Sequence, residues 1–406
     1  MSRAQESWAA VRAEMRGKPV ESPRGVALVL VLLVIGILVP FTSTFLYKAD
    51  LNLTMSTNMK EEVIAYYHAR SSMEVARLVI KSQNEFDNMK KMLSGMIPNF
   101  DKQNIELWTF ACEFSKAFCS GKLNLLGKEF FDLTGMPGVG LERGGMCDCK
   151  ALPEDGRVNI NRVDSPQEKQ QLFMDLYTTF MHHRDQEQVN PQEMDQELSD
   201  MVSNIVDAAD SDTEKTQVVM GKFQSSGPES SNKVTGKKPK NAKFDTLAEL
   251  KQVAGLDPEL YCKTAKELTP YSTKKLNINT AELHVLRRLV CEHTNNAEEA
   301  CYGVASTMGL PAVDHAMFCV DICRSVRQKL MSPGFANVNE FLQFFDRMPA
   351  EWLPRPNINK STLSKKIGVN SKVIRVETVG GYFQTFKGLT AVIDTGTGDY
   401  VYWREY

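Results

Sequence analysis

VALVLVLLVIGILVPFTSTFLY, the stretch Val26–Tyr47, runs for 22 residues without a charged side chain, and its reading decides how the rest of the chain is placed. A helix rises about 1.5 Å per residue, so a run of this length covers the roughly 30 Å hydrocarbon core of a bilayer. Ahead of it, Arg3, Arg12, Arg16, Lys18 and Arg24 outnumber Glu6, Glu14 and Glu21. Such a basic flank stays on the cytoplasmic side, which puts the body across the membrane. Pro40 lies within the run and predicts a kink that neighbouring groups can compensate. Beyond Lys48, apolar residues recur at helical spacing (Leu51, Met55, Met59, Val63, Tyr66, Tyr67, Met73, Ala76, Val79 and Ile80), and no glycine or proline interrupts Ala49–Lys81. One long amphipathic helix is predicted, its stripe covered by the chain's own core and, nearer the membrane, by neighbouring molecules.

Outward from that helix, 406 residues leave room for two or three packed units. The composition, 42% hydrophobic and 24% charged, is that of a globular chain, and a net charge of −2 sets up no global attraction to nucleic acid. Residues 86–125 read as helical, and 133–157 as turn-rich. The body then repeats itself. Val158-Asn159-Ile160-Asn161 and Leu276-Asn277-Ile278-Asn279 each lead toward a helix, with Ser165 and Thr280 as the expected N-caps. Residues 222–243 read as an exposed polar loop. Phe244–Leu250 opens a helix that ends at Val253-Ala254-Gly255-Leu256, the turn used by helix-hairpin-helix modules. At the C-terminus, Val373–Val379 alternates before Gly380-Gly381, Leu389–Ile393 is rich in β-formers, and Tyr400–Trp403 closes a small antiparallel sheet.

Three readings fit the N-terminal junction. Thr42-Ser43-Thr44 is a weak secretory cleavage site, and a plain bitopic anchor needs no cleavage at all. In the third, Gly25 stands between a basic leader and the apolar run, as in prepilin leaders cut after the glycine before Val26. The fifth residue of that product is Leu30, where most pilins carry a glutamate that pairs with a neighbour's N-terminal ammonium.

In this order along one chain, the residues resemble the K-type minor pseudopilins of bacterial type II secretion systems. The resemblance is carried by Gly25-Val26 with apolar Leu30, by Ala65-Tyr66-Tyr67-His68-Ala69, and by both Asn-x-Asn turns. It extends to Val206-Asp207-Ala208-Ala209-Asp210-Ser211-Asp212, to Phe244–Leu256 and to the closing sheet. It implies an α+β fold: a transmembrane and long amphipathic helix packed on a small C-terminal antiparallel sheet, with a large helical insertion of helix-hairpin-helix-like units. The corresponding divisions are 1–25 (leader), 26–85 (long helix), 86–160 (pilin-like part), 161–370 (insertion) and 371–406 (sheet). It also implies a non-enzymatic tip subunit in the inner membrane, with its body in the periplasm. The implied partners are the I-type and J-type minor pseudopilins, the major pseudopilin fibre and a prepilin peptidase. A type IV pilus tip subunit or a membrane-anchored DNA-binding protein are the alternatives. Against the latter, Glu249, Asp257 and Glu259 around the hairpin are not the basic surroundings that phosphate needs.

Family members can bind calcium, and Asp207, Asp210 and Asp212 offer hard oxygen ligands, although without the spacing of an EF-hand. His315, Cys319 and Cys323 would share a helix face, near Cys291 and His293, as zinc ligands do. In an oxidising compartment, disulfides among Cys291, Cys301, Cys319 and Cys323 are the stronger expectation. Cys112, Cys119, Cys147 and Cys149 are likewise disulfide candidates, Cys112 and Cys119 lying seven apart on one helix face. His182-His183-Arg184 reads as surface, and no catalytic constellation stands out.

Overall fold

The computed structural model describes residues 24–93, 105–125, 128–132, 140–141, 144–184, 191–219, 222–228, 240–253, 255–303, 310–329, 334–349 and 354–406. The leader up to Pro23 and residues 229–239 of the polar loop lie outside them. The chain divides into two units, Met1–Val63 and Ile64–Tyr406. A helix spans Arg24–Lys81 and continues through Pro40. In the first unit its apolar side chains are exposed from Val26 to Met59. Within this run the hydroxyls of Thr42 and Thr44 donate back to the carbonyls of Leu38 (2.6 Å) and Pro40 (2.7 Å), so neither is left unpaired in apolar surroundings.

The second unit begins with a frame. Its four-stranded antiparallel sheet has the spatial order 400–405, 385–394, 373–382, 145–153. The end of the long helix lies on this sheet, burying Ala69, Met73, Ala76 and Ile80 against Ile374, Val376, Leu389, Ala391 and Ile393. The predicted apolar stripe is thus real, but only its C-terminal part is covered by the chain itself. The strand Val373–Tyr382 runs on through Gly380-Gly381, and the reversal comes at Phe383, whose φ is +51°. Gly380 serves close packing instead. A Cβ there would collide with the carbonyl of Ala65 and the amide of Ala69. Helix and strand therefore meet at backbone distance, with the Thr378 hydroxyl donating to the Ala69 carbonyl at 3.0 Å. The stretch 133–157, read as turns, supplies the edge strand Gly145–Pro153, and the helical reading of 86–125 resolves into Gln83–Leu93, Trp108–Ser120 and a short strand Lys122–Leu125.

Between Pro153 and Val373 the sheet is interrupted by a helical insertion made of two modules. The first buries Ile160, Leu172, Leu176, Phe180, Leu198, Ile205, Leu250 and Leu268; the second buries Ile278, Leu286, Phe335, Phe341, Leu363 and Ile367. Each module is closed by a two-residue parallel bridge, Val158-Asn159 with Leu268-Thr269 and Leu276-Asn277 with Ile367-Gly368. Two expectations fail locally. Glu214–Val219 pairs with Lys222–Pro228, so the polar stretch opens as a hairpin strand whose backbone groups are satisfied by a partner next to it in sequence. Ser165 caps its helix through Glu168 N–H (3.2 Å), but Thr280 caps nothing, because the following helix starts only at Leu283 after Glu282.

The crossing between frame and insertion rests on two buried acids. Asp155 Oδ2 accepts from the amides of Lys372 (2.5 Å) and Val373 (2.9 Å), while Oδ1 accepts from Thr273 N (2.7 Å). Glu106 Oε1 accepts from Ser371 N at 2.6 Å. Desolvation pushes the Glu106 carboxyl up to about 7.

Candidate membrane and assembly sites

Gly25 and Val26 stand at the start of the long helix, and Leu30 is one of its exposed apolar residues. Among the described residues this is the one helix long and apolar enough to cross a membrane, with a mean hydropathy of 2.8 over its apolar window. Charge is absent from that run, so nothing in it resists transfer to hydrocarbon.

The edge strand of the sheet is stapled. Cys147 and Cys149 point to one face because side chains alternate along a strand, and Cys112 and Cys119 share a face of the helix Trp108–Ser120. The resulting bridges are Cys112–Cys149 and Cys119–Cys147. They clamp a helix over one side of the sheet, while the strand Tyr400–Glu405 forms the other edge. A third bridge joins Cys291 to Cys301. Cys319 and Cys323 are not bridged: successive turns of the helix Ala312–Lys329 carry them as thiols into a cavity of about 240 Å³ with Phe335, Phe344 and Met348. Burial pushes the Cys319 thiol up. With Cys291 consumed by its bridge and His293 Nδ1 within 2.9 Å of the Leu289 carbonyl, the zinc set does not converge.

Two of the three aspartates share one ammonium. Lys169 Nζ lies 2.7 Å from Asp210 and 2.5 Å from Asp212, while Asp207 Oδ1 accepts from Thr216 N at 2.9 Å. Burial lifts the Asp210 carboxyl above its usual range. Asp212 is desolvated too, but the Lys169 bond and the Glu214 amide outweigh that and hold its carboxyl low. Lys169 thus bridges Asp210 and Asp212. Among the described residues, no three His, Cys, Asp or Glu side chains are arranged to hold a metal.

One cluster escaped the sequence reading. His182 is exposed, as read, but half-buried His183 joins His284 at Glu267, which is 3% exposed. His183 Nε2 lies 2.6 Å from Glu267 Oε1, His284 Nε2 lies 3.1 Å from Oε2, and the His182 ring stacks on His284 at 4.5 Å. Burial, followed by its two imidazole neighbours, pulls the His182 pKa down. Glu267 is held low because the His284 and His183 bonds outweigh its desolvation. These partners are far apart in sequence, and no local pattern announces them.

No protein-family model matches the chain, and no curated protein matches it by sequence. Among solved structures, it is similar to a chain of the GspK-GspI-GspJ complex from the enterotoxigenic Escherichia coli type 2 secretion system. The TM-score is 0.51 at 14% identity, over 87% of this chain and 99% of that one. At that identity the likeness is one of fold, and it extends over nearly the whole of the other chain.

Proposed function

We propose that this chain is a K-type minor pseudopilin, a non-enzymatic tip subunit that starts and caps the pseudopilus of a type II secretion system. The observation that carries the reading is the chain-wide order of parts. An apolar helix continues into the core helix of a small antiparallel sheet, and helical modules are inserted between two adjacent strands of that sheet, in the fold of a component of a three-protein secretion complex. In this reading a prepilin peptidase cuts after Gly25, and the helix from Val26 anchors the protein in the inner membrane with its body in the periplasm. The three disulfides suit that oxidising side. The partners are the I-type and J-type minor pseudopilins and, below them, the major fibre.

Leu30 then has a physical logic. A carboxylate in an apolar fibre core needs a cationic partner, and a topmost subunit has no neighbour above to supply an N-terminal ammonium. The helical hairpin is read as structural. Gly255, at φ +86°, packs against Met201, and Asp257 uses its carboxylate to cap the next helix at Glu259 N and Leu260 N. The test is the intact mass of the membrane-extracted protein with and without a prepilin peptidase. A product beginning at Val26 only when the peptidase is present is the expected result; an uncut chain in both samples would sink the pseudopilin reading.

A further inference from the structure

We infer that the cleft between the two helical modules is a binding site for a phosphate-class oxyanion. The cleft is lined by Arg157 and Arg162 around the first Asn-x-Asn turn, by Lys275 ahead of the second, by Arg288 and by Lys366, with Asp175 as the one acid among these. It encloses about 20 Å³, room for one water-sized group at its floor. Lys275 is exposed at the mouth and Lys366 half-buried.

The local acids engage Arg288 and Arg157 but leave Arg162 and two lysines without a carboxylate among the described residues. Arg288 bonds Asp175 and, at 2.8 Å, Glu292. Arg162 Nη2 donates to the neutral amide of Gln171 at 2.9 Å. Arg157 lies 3.4 Å from Glu154 without a hydrogen bond's geometry. A further lining cation, Lys274, is taken up by Asp164 (3.2 Å) and Glu168 (3.0 Å). Lys275 and Lys366 form no ion pair among the described residues.

What points to a ligand is the set of buried donors left over. The Nε–H groups of Arg162 and Arg288 and the Nη1 of Arg157 are buried without a hydrogen-bond acceptor among the described residues. A desolvated guanidinium N–H with no acceptor is costly, and buried polar groups are ordinarily satisfied by protein, water or an ion. Unpartnered guanidinium N–H groups on residues that line a floor of one-oxygen size, with lysines beside it, match a tetrahedral oxyanion: one oxygen enters and the others stay near the ammonium groups. The floor is too small for a sugar or a base, so recognition is limited to the anionic head.

The test uses the full chain in detergent, with thermal unfolding followed in sodium phosphate against sodium chloride at matched ionic strength. Phosphate is expected to raise Tm in the wild type, because a ligand that binds only the folded state stabilises it. The rise should vanish in Arg162→Gln/Lys275→Gln/Lys366→Gln. Should that variant fold poorly, Lys275→Gln/Lys366→Gln changes only groups without ion pairs and is expected to weaken phosphate binding roughly tenfold. Equal Tm values in the two salts, or a phosphate-specific rise that both variants retain, would overturn the site. Reconstitution in phosphatidylcholine bilayers with and without phosphatidylglycerol, with Tm again the readout because the chain's own apolar helix enters either bilayer, separates the sources. A Tm rise that needs phosphatidylglycerol, is not added to by free phosphate and is lost in the variants assigns a lipid headgroup; without it, a soluble oxyanion is the ligand supported by the thermal arm.

Discussion

The two modules of the insertion solve the same closure problem with the same parts, and differ in what surrounds them. In each, the first asparagine folds its side chain onto the amide two residues on: Asn159 Oδ1 to Asn161 N and Asn277 Oδ1 to Asn279 N, both 2.9 Å. The second asparagine is a hook. Asn161 accepts from Phe244 N and donates to the carbonyls of Phe244 and Pro270. Asn279 accepts from Phe335 N and donates to the carbonyls of Phe335 and Val369. Each phenylalanine opens the same cap: Glu249 reaches back to Asp245 N and Glu340 to Ala336 N. The environments diverge. Asn279 is 5% exposed and its module carries a disulfide, whereas Asn161 is half-buried and its module supplies His182, His183 and Glu267 of the histidine cluster, with His284 coming from the helix Leu283–Glu292. An identical device should therefore contribute unequally.

The largest expected difference lies in the hooks. Asn279→Ala strands a buried amide and two carbonyls and is expected to cost about 3 kcal/mol, against about 2 kcal/mol for Asn161→Ala, where water replaces part of what is lost. Urea unfolding followed by circular dichroism measures both. Equal losses would break the argument that burial sets the hook's value.

Next comes the bridge. Cys291→Ala/Cys301→Ala releases a short loop and should cost about 2.5 kcal/mol. Hydrogen exchange should show the loss in Leu283–Glu292 and Val338–Asp346 and leave Pro166–His183 protected. Loss in all three would mean that the modules unfold as one. The caps are smaller: Asn337→Ala and Thr246→Ala should each cost about 1 kcal/mol, read from the same urea curves.

Acid should act first where the histidines meet Glu267, on the first module and the start of Leu283–Glu292. His182 is harder to protonate folded than unfolded, so its contribution is full above about pH 6.5 and is lost as pH falls below that. Glu267, held low, contributes above its unfolded range and loses that at still lower pH. Exchange protection of Pro166–His183 should thus fall between pH 7 and pH 5, while that of Val338–Asp346 holds. A decline shared by both helices would remove the histidines as its cause.

What the sequence made legible follows from how far each interaction reaches. The membrane run, the long helix and the closing strands are periodic in sequence, so their apolar residues announced them. The Asn-x-Asn repeat was legible because each first asparagine bonds only two residues ahead. Its continuation was not: Phe335-Ala336-Asn337-Val338-Asn339-Glu340 shares with Phe244-Asp245-Thr246-Leu247-Ala248-Glu249 only the aromatic, the cap and the glutamate. Gly380 marked only the end of an alternating run in the sequence, and the packed helix at Ala65 and Ala69 shows why its missing side chain matters. Lys169 between Asp210 and Asp212, and the histidines around Glu267, depend on helices brought together by the core, which no local spacing encodes.

The most direct test of the central claim is assembly. The body from Ile64 onward, co-expressed in the periplasm with the I-type and J-type minor pseudopilin bodies of the same secretion system, is expected to co-elute with both on size exclusion as one complex. Elution of this body alone, with the other two present and folded, would contradict the account.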